Sequence, residues 1–504
     1  MLPLVDSHMH MASSTSTMDE LLKRSTVAQS LVRNPIRVVM NRVFADPSIL
    51  SLAGGRPVAS VFPLVGLSLK LKDNSTLTTD LVDNDLNYGA LNAVGTPALR
   101  GWQKAFVKAF HGVDVDAKGY DCVVTPGNSD GIFKSVLALS DPGDIIFADA
   151  YTYTGILACA RPLGRLVVGV DGDDDGMSPD ALVEACERAR RAGRRCAMLY
   201  VIPNGHNPLG LTMPEKRRKE LYLACRAANL AVVEDDSYSL LRLPARGKKD
   251  YAGLRGALSL EPSFLAIDAL PGFGDGRVVR LDSFSKSLCP GLRFGFLTAP
   301  KPLVEKLCTL NEVTTWSLSG VALKAYEILL NDLAKKNYAK LEKQAKDVQR
   351  LYATRRDLLL DALDKILKPH ATYNAPKSGM FLLVRAADPD VDVAALLDDL
   401  LDAGVAALPA AGFRPDGGPS NAFRVSFTQV HSREVAERAA TKLKAVLSDA
   451  AKVAAAKKGW AAKRAAAAAR VDALFAAERA PLAVPLPYVV AGVSVLVALL
   501  LRRK

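Results

Sequence analysis

The sequence predicts an α/β protein: a large, mostly parallel sheet flanked by helices, a smaller α+β region, and a helical C-terminal extension. Three observations predict it. Between about residues 120 and 286, short β-rich runs alternate with helical stretches, the pattern of βαβ units. From about 320 to 447, long helices come first and short strands follow. From Ala451 the chain turns alanine- and lysine-rich, a composition of high helix propensity.

The elements follow in order. "DCVVTPG" runs into the helical "NSDGIFKSVLALS"; "GDIIFADAYTY", "RLVVGV", "RCAMLYVIPN", "LAVVEDDSY" and "RVVRLDSFSK" read as further strands. "SPDALVEACERARRAG" and "MPEKRRKELYLACRAAN" read as the helices between them. In the second region "EKQAKDVQRLYATRRDLLLDALDKIL" precedes the strand-like "GMFLLVRA" and "AFRVSFT". The expected division is a flexible leader over 1–24, an N-terminal part of the small domain over 25–85, the large domain over 86–317, and the rest of the small domain over 318–447. An Ala/Lys-rich helical linker over 448–480 then leads to a candidate transmembrane tail over 483–501.

A chain of 504 residues exceeds one average core, which agrees with more than one domain. The net charge of +12 is not spread evenly. Ten Lys and Arg residues after Ala450, against Asp472 and Glu478, carry +8 of it, so the body has no excess suited to nucleic acid. Seven cysteines without a CxxC pair argue against structural zinc and against a disulfide framework, and fit a reduced compartment. The opening "VDSHMH" has the D-x-H-x-H spacing of a metal site, but the other four histidines are scattered at 111, 206, 370 and 431. A disordered leader without a secretory signal is the better reading, and no metal site is expected.

Ligands of an open parallel sheet bind beyond the carboxyl ends of its strands. Reading only those ends gives Gly127, Asn128 and Ser129 opening a helix, where backbone N–H groups suit a phosphate. Tyr153 follows the next strand, then Asn207, then Asp235 with Tyr238 three residues on. Ser283, Ser285 and Lys286 follow "VVRLD", and Arg293 lies beyond Pro290 and Gly291. Singly, each has an ordinary structural explanation as a cap, a core aromatic or a surface charge. Together they supply a phosphate cradle, an aromatic plate, an acid, a hydroxyl and amide pair, and a lysine, the inventory a pyridoxal phosphate enzyme requires.

Here the chain resembles a known family. "SLAGGRPVASVFP", "LNYGALNAVGTPALRGW", "TPGNSDGIFK", "LSDPGDIIFADAYTYTG", "VDGDDDGMSPDALVE", "IPNGHNPLGLTMPEKRRKELYLAC", "VVEDDSYSLLRL", "SFSKSLCPGLRFGF", "SGMFLLV" and "NAFRVSFT" occur in family order from about Leu50 to Leu447. They resemble the fold-type-I pyridoxal-phosphate-dependent aminotransferases (class I/II), in the branch acting on 2-aminoadipate, kynurenine and aromatic amino acids. The resemblance implies transfer of an amino group from an amino acid to a 2-oxo acid such as 2-oxoglutarate, by a ping-pong course. It implies that Lys286 binds pyridoxal 5'-phosphate and shuttles the Cα proton, and that Asp235 pairs with the ring nitrogen. Asn207 and Tyr238 would meet the phenolic oxygen, and Tyr153 would stack on the ring. Asn128, Ser129, Ser283, Ser285 and Arg293 would hold the phosphate, joined by Tyr88 from a neighbouring subunit, so a homodimer is implied. Arg424 would grip the α-carboxylate, and Gly55 and Arg56 would line the substrate side-chain pocket, Arg56 reading a distal carboxylate.

The pattern departs from the family in two places: "HNPLG" replaces the commoner "QNPTG", and "GNSD" replaces "GSQQ". A lyase or decarboxylase on the same fold is the alternative; a non-catalytic regulator is remote, because the leader is too short for a DNA-binding module. The tail from Ala483 to Leu501 has nineteen uncharged residues before Arg502, Arg503 and Lys504. That length suits a membrane span. It predicts a cytosolic enzyme anchored to an organelle membrane, or a soluble cytoplasmic one if the tail is not a span.

Overall fold

The computed structural model describes residues 18–476, apart from 34, 47, 50–56, 88–92 and 252–260. Gly55, Arg56, Tyr88, the "VDSHMH" histidines and the tail over 483–501 lie outside the described residues.

Seven strands form the large sheet: β1 (Tyr120–Thr125), β2 (Ile145–Asp149), β3 (Leu166–Val170), β4 (Cys196–Val201), β5 (Ala231–Asp236), β6 (Val278–Ser283) and β7 (Gly295–Pro300). Their order is β1-β7-β6-β5-β4-β2-β3. All neighbours run parallel except β7, which is antiparallel to both β6 and β1. The strands in the middle of the sheet are buried along their whole length, as expected of a sheet covered by helices on both faces. One face packs on Trp102, Phe106, Phe284 and Phe296. The other packs on Ile132, Val136, Leu303 and Leu307 from two helices. Met18, Leu21 and Leu22, from a helix spanning Met18–Lys23 within the expected leader, join this second core.

The smaller region is a four-stranded antiparallel sheet, β8 (Ala371–Tyr373), β9 (Phe381–Ala386), β10 (Leu408–Pro409) and β11 (Ala422–Ser426), in the order β8-β9-β11-β10. Helix Arg433–Leu447 buries Ala436, Ala440, Leu443 and Val446 against it. An N-terminal hairpin, Gly66–Lys70 with Thr76–Asp80, lies against the long helical run Gly320–Ala362.

Two helices, Ala450–Lys457 and Trp460–Ala476, follow. They lie on the body. Lys457 pairs with Asp388 at 2.9 Å and Lys463 with Asp392 at 2.6 Å on the small-sheet side. At the far end Asp472 pairs with Arg188, whose guanidinium also covers the Phe475 ring at 4.3 Å.

The expected membrane span is corrected. No helix among the described residues is long and apolar enough to cross a membrane. Within the tail itself Pro485 and Pro487 leave a proline-free run of only Tyr488 to Leu501, short of the roughly 20 residues a bilayer core requires. The transmembrane and anchoring assignments are withdrawn.

Candidate active site

The site is built where β5 and β6 end. Side chains on a strand alternate between faces, so β5 presents Asp235 to one face and Glu234 and Asp236 to the other. Asp235 is 5% exposed and bears neutral donors only: Asn128 Nδ2 at 2.7 Å and Ser237 Oγ at 3.3 Å on Oδ1, and the Tyr200 hydroxyl at 2.6 Å on Oδ2. It makes no ion pair among the described residues. Burial pushes its carboxyl above the usual range, opposed first by the Tyr200 hydrogen bond and then by that of Asn128.

Beyond β6 the Ser283 hydroxyl accepts the Ser285 N–H at 3.2 Å, a turn that brings Lys286 out half-buried. Burial lowers the pKa of the Lys286 amine, and the charges of Arg293 and Arg424 lower it further, with Asp235 opposing them. Arg293 has a left-handed backbone (φ 53°) and donates to the Pro126 carbonyl at 3.0 Å. Its guanidinium therefore lies against the N-terminus of helix Asn128–Leu139. Gly127 there has φ 82°, and a Cβ on it would lie 2.4 Å from Arg293 Nη2, so only glycine fits both the backbone and the approach. An arginine beside open helix N–H groups is a site for a phosphate. Ser129 is exposed in the first turn of this helix.

Arg424, on β11, crosses from the small sheet. Its Nη1 donates to Asn207 Oδ1 at 3.0 Å, and its guanidinium lies over Phe381 at 4.1 Å and Phe413 at 5.1 Å. No carboxylate pairs with it among the described residues. Tyr238 is buried, and burial foremost, then the Asp235 charge, pushes its phenol up, partly offset by the Arg424 charge and then by a hydrogen bond with Asn207. Tyr153 caps the next helix; a Cβ on Gly155 would lie 2.2 Å from its ring, so glycine makes room for that plate.

Of the residues singled out in the sequence, Lys286, Asp235, Asn207, Tyr238, Tyr153, Arg293 and Arg424 meet here, with Ser283 and Ser285 in the lysine turn. Asn128 is in place, but its amide is turned on Asp235 and on the Leu281 carbonyl (3.1 Å) rather than on the phosphate cradle. Sequence reading missed Tyr200 and Ser237 on Asp235, and Phe381 and Phe413 around Arg424. It also missed Asp149. The substituted His206 accepts the Leu209 N–H on Nδ1 (3.4 Å), which leaves Nε2 as the donor to Asp149 Oδ2 (3.1 Å) and braces the turn that carries Asn207. The one available signal for these was position, since Asp149 and Tyr200 sit at or near strand ends.

The donor set fits pyridoxal phosphate. A buried carboxylate lacking a cation suits a protonated ring nitrogen, a cationic helix N-terminus suits the phosphate, and a lysine of lowered pKa suits the carbonyl carbon.

The chain is similar to known proteins. A family model described as aminotransferase class I and II matches residues 87–443. The mitochondrial kynurenine/alpha-aminoadipate aminotransferase of Mus musculus is 29% identical over 422 residues, 80% of this chain and 94% of that one. An aromatic amino acid aminotransferase of Schizosaccharomyces pombe is 32% identical over 374 residues, 69% of this chain and 77% of that one. Among solved structures, aminotransferase Aro8 from Candida albicans superposes with a TM-score of 0.73 at 25% identity, covering 84% of this chain and 98% of that one.

Proposed function

The chain belongs to the class I and II aminotransferases and is a pyridoxal-phosphate-dependent enzyme of the fold-type-I architecture; from that premise we propose that its amino donor is 2-aminoadipate, kynurenine or an aromatic amino acid. Its acceptor in this reading is a 2-oxo acid such as 2-oxoglutarate. One observation carries the reaction type: a half-buried lysine set between a carboxylate, Asp235, and two cations, Arg293 and Arg424, none of which has an ion-pair partner among the described residues. The names of the relatives support the donor class.

The bound cofactor supplies an electron sink that makes the substrate Cα–H acidic. The chain's own groups do the rest. Arg424 receives the substrate α-carboxylate through its guanidinium fork. The Phe381 and Phe413 rings hold that fork in plane. Lys286 Nζ would take and hold the substrate Cα proton, a transfer that needs the neutral amine its surroundings favour. Asp235 keeps a proton on the ring nitrogen. Asn207, its carbonyl oxygen engaged by Arg424, presents its amide N–H to the phenolic oxygen beside Tyr238.

A homodimer fits the surface. Val58, Val61, Leu64, Val65 and Val82 are exposed on the N-terminal segment, an apolar area that a second subunit would cover. Tyr88 then reaches the neighbouring phosphate. Arg56 reads a distal carboxylate; Arg56→Ala raises KM for 2-oxoglutarate and leaves aromatic donors unaffected, and an unchanged KM refutes that role.

The deciding experiment adds single amino acids, without any oxo acid, to the purified enzyme carrying its visible cofactor band. Conversion of the band by 2-aminoadipate, kynurenine or an aromatic donor establishes the donor class. A band that none of these donors moves refutes it and favours a lyase.

A further inference from the structure

We propose that Tyr200 and Asn128 are positioning residues: a pair of neutral donors that hold Asp235 as an oriented, uncompensated carboxylate for the cofactor's ring nitrogen. The inference goes beyond the reaction type and rests on Asp235 being the ring-nitrogen partner.

Tyr200 lies on β4, in a strand buried at every residue, and is itself fully buried. Its hydroxyl reaches Asp235 Oδ2 at 2.6 Å. A tyrosine there looks like core, yet its polar end faces a carboxylate rather than solvent. Burial and the Asp235 charge hold its phenol proton well beyond the usual range, so it donates at every working pH. Asn128 grips the other oxygen, Oδ1, at 2.7 Å. The same amide reaches the Leu281 carbonyl at 3.1 Å, and Leu281 is the β6 register partner of Asp235. Asn128 is also the first residue of the helix whose N-terminus meets Arg293. One side chain therefore ties the phosphate end of the site to its ring-nitrogen end.

The neutrality of these donors is the point. A cation beside Asp235 would orient it equally well but would cancel its charge and compete with the ring N–H for its oxygens. Hydroxyl and amide donors stabilise the charged form without neutralising it. Without them, burial alone moves the carboxyl toward its protonated state. A protonated Asp235 no longer holds a proton on the ring nitrogen, and the electron sink weakens.

The test uses the holoenzyme and the variants Tyr200→Phe, Asn128→Ser and Asp235→Asn. Tyr200→Phe keeps the ring in the core, and Asn128→Ser guards against a folding failure in the first. For each, the pH titration of the visible lysine-bound cofactor band, the dissociation constant for pyridoxal phosphate, kcat and KM are measured. A positive charge on the ring nitrogen lowers the pKa of the nearby lysine–cofactor linkage. Weakening Asp235 therefore moves the band's midpoint to higher pH. Tyr200→Phe and Asn128→Ser should each move it upward by part of the Asp235→Asn displacement. Each should lower kcat by about tenfold, the order of one hydrogen bond to a charged group, with KM changed less than kcat. If Asp235→Asn moves the midpoint and neither other variant does, the proposal is overturned. Looser cofactor binding with an unmoved midpoint also overturns it, since that marks a purely structural role. If Asp235→Asn itself leaves the midpoint unmoved, the ring-nitrogen assignment of Asp235 fails, and the proposal fails with it.

Discussion

The two faces of the β5–β6 pair carry the same kind of charge under opposite conditions. On the site face Asp235 is buried with neutral donors and, among the described residues, no counterion. On the opposite face Arg280, fully buried, pairs with Glu234 at 3.0 Å, Asp236 at 2.9 Å and Asp282 at 2.8 Å. Glu234 also accepts the N–H groups of Phe264 and Leu265 at a helix start, and Asn204 donates to Asp236 at 2.8 Å. The three back-face carboxylates share one buried guanidinium from within the chain. The front-face carboxylate has no such partner among the described residues, and the proposed contact with the cofactor's ring nitrogen would supply one. A buried carboxylate without a cation costs stability, and the three on the opposite face at least share Arg280; we read the difference as a binding requirement at Asp235.

The comparison breaks hardest at Arg280. Arg280→Met leaves three buried carboxylates without their cation, a loss of about 3–5 kcal/mol by analogy with other broken buried pairs. The loss depends on pH. Burial already raises Asp282 to about 6, with Arg280 the main opposing influence. A carboxyl whose folded pKa is raised stabilises the fold below its unfolded value and loses that contribution as pH rises through the folded value. The variant should therefore recover part of its stability between pH 7 and 5. His111, 3.8 Å from Asp282 and held neutral by burial and then by the Arg280 charge, gains a proton more readily once Arg280 is gone, which acts in the same direction. Urea unfolding at pH 5, 6 and 7 measures this; a deficit that grows toward pH 5 would contradict it.

Asp235→Asn breaks the other face and gives the opposite stability result. Turnover falls by about a hundredfold to a thousandfold, the scale of losing one preorganised electrostatic group. The cofactor-free protein should melt no lower than the native one. Asp235 has a raised carboxyl, so its native contribution is present in acid and lost as pH climbs through the folded value. The melting-temperature difference, variant minus native, should widen as pH rises above the ordinary carboxylate range. A variant that melts several degrees lower throughout would mean that Asp235 is structural.

The site face was largely legible in the sequence because strand ends are. Lys286, Asp235, Asn207 and Arg293 each follow an apolar run at a point where the chain must turn. The back face was not, because "VVRLD" contains Arg280 in the middle of a strand, and nothing in one sequence says that three carboxylates converge on it. Tyr200 was hidden for the converse reason: in "CAMLYV" its ring satisfies the apolar pattern, and only the fold shows what its hydroxyl meets. The position of Asn128 could be read, but not the direction of its amide. The C-terminal helices were legible as helices, but their docking on the body was not, for a third reason. Alanine gives no apolar stripe, yet Ala456 and Ala467 are buried because small residues permit close approach.

A smaller effect sharpens the electrostatics of the open face. Arg293 and Arg424 both lower the Lys286 pKa, after burial. Capture of pyridoxal phosphate by the cofactor-free enzyme needs the neutral amine, so its rate rises with pH through that pKa, below the ordinary 10.5. Arg424→Met removes one of the two cations and should move the midpoint of this rate profile upward. Stopped-flow growth of the cofactor band reads it directly, and an unmoved or lowered midpoint would show that Arg424 does not act on the lysine.

The smallest effect concerns a charge pair that neither face buries. Asp472, on the last described helix, pairs with Arg188 across to the large-sheet side, with the two side chains 68% and 43% exposed. Solvent screens such a pair, so Asp472→Ala should cost about 0.5 kcal/mol or less, and salt should erase the difference. The helix has other holds: Arg194 donates to the Leu474 carbonyl at 3.2 Å, Arg470 to the Gly417 carbonyl at 3.2 Å, and Leu474 and Phe475 pack on the large core. These contacts join the large-sheet region to the loop that follows Phe413, one of the rings under Arg424. A cost well above 1 kcal/mol, or one that persists at high salt, would show that the ion pair itself carries the docking, and kcat should then fall with it.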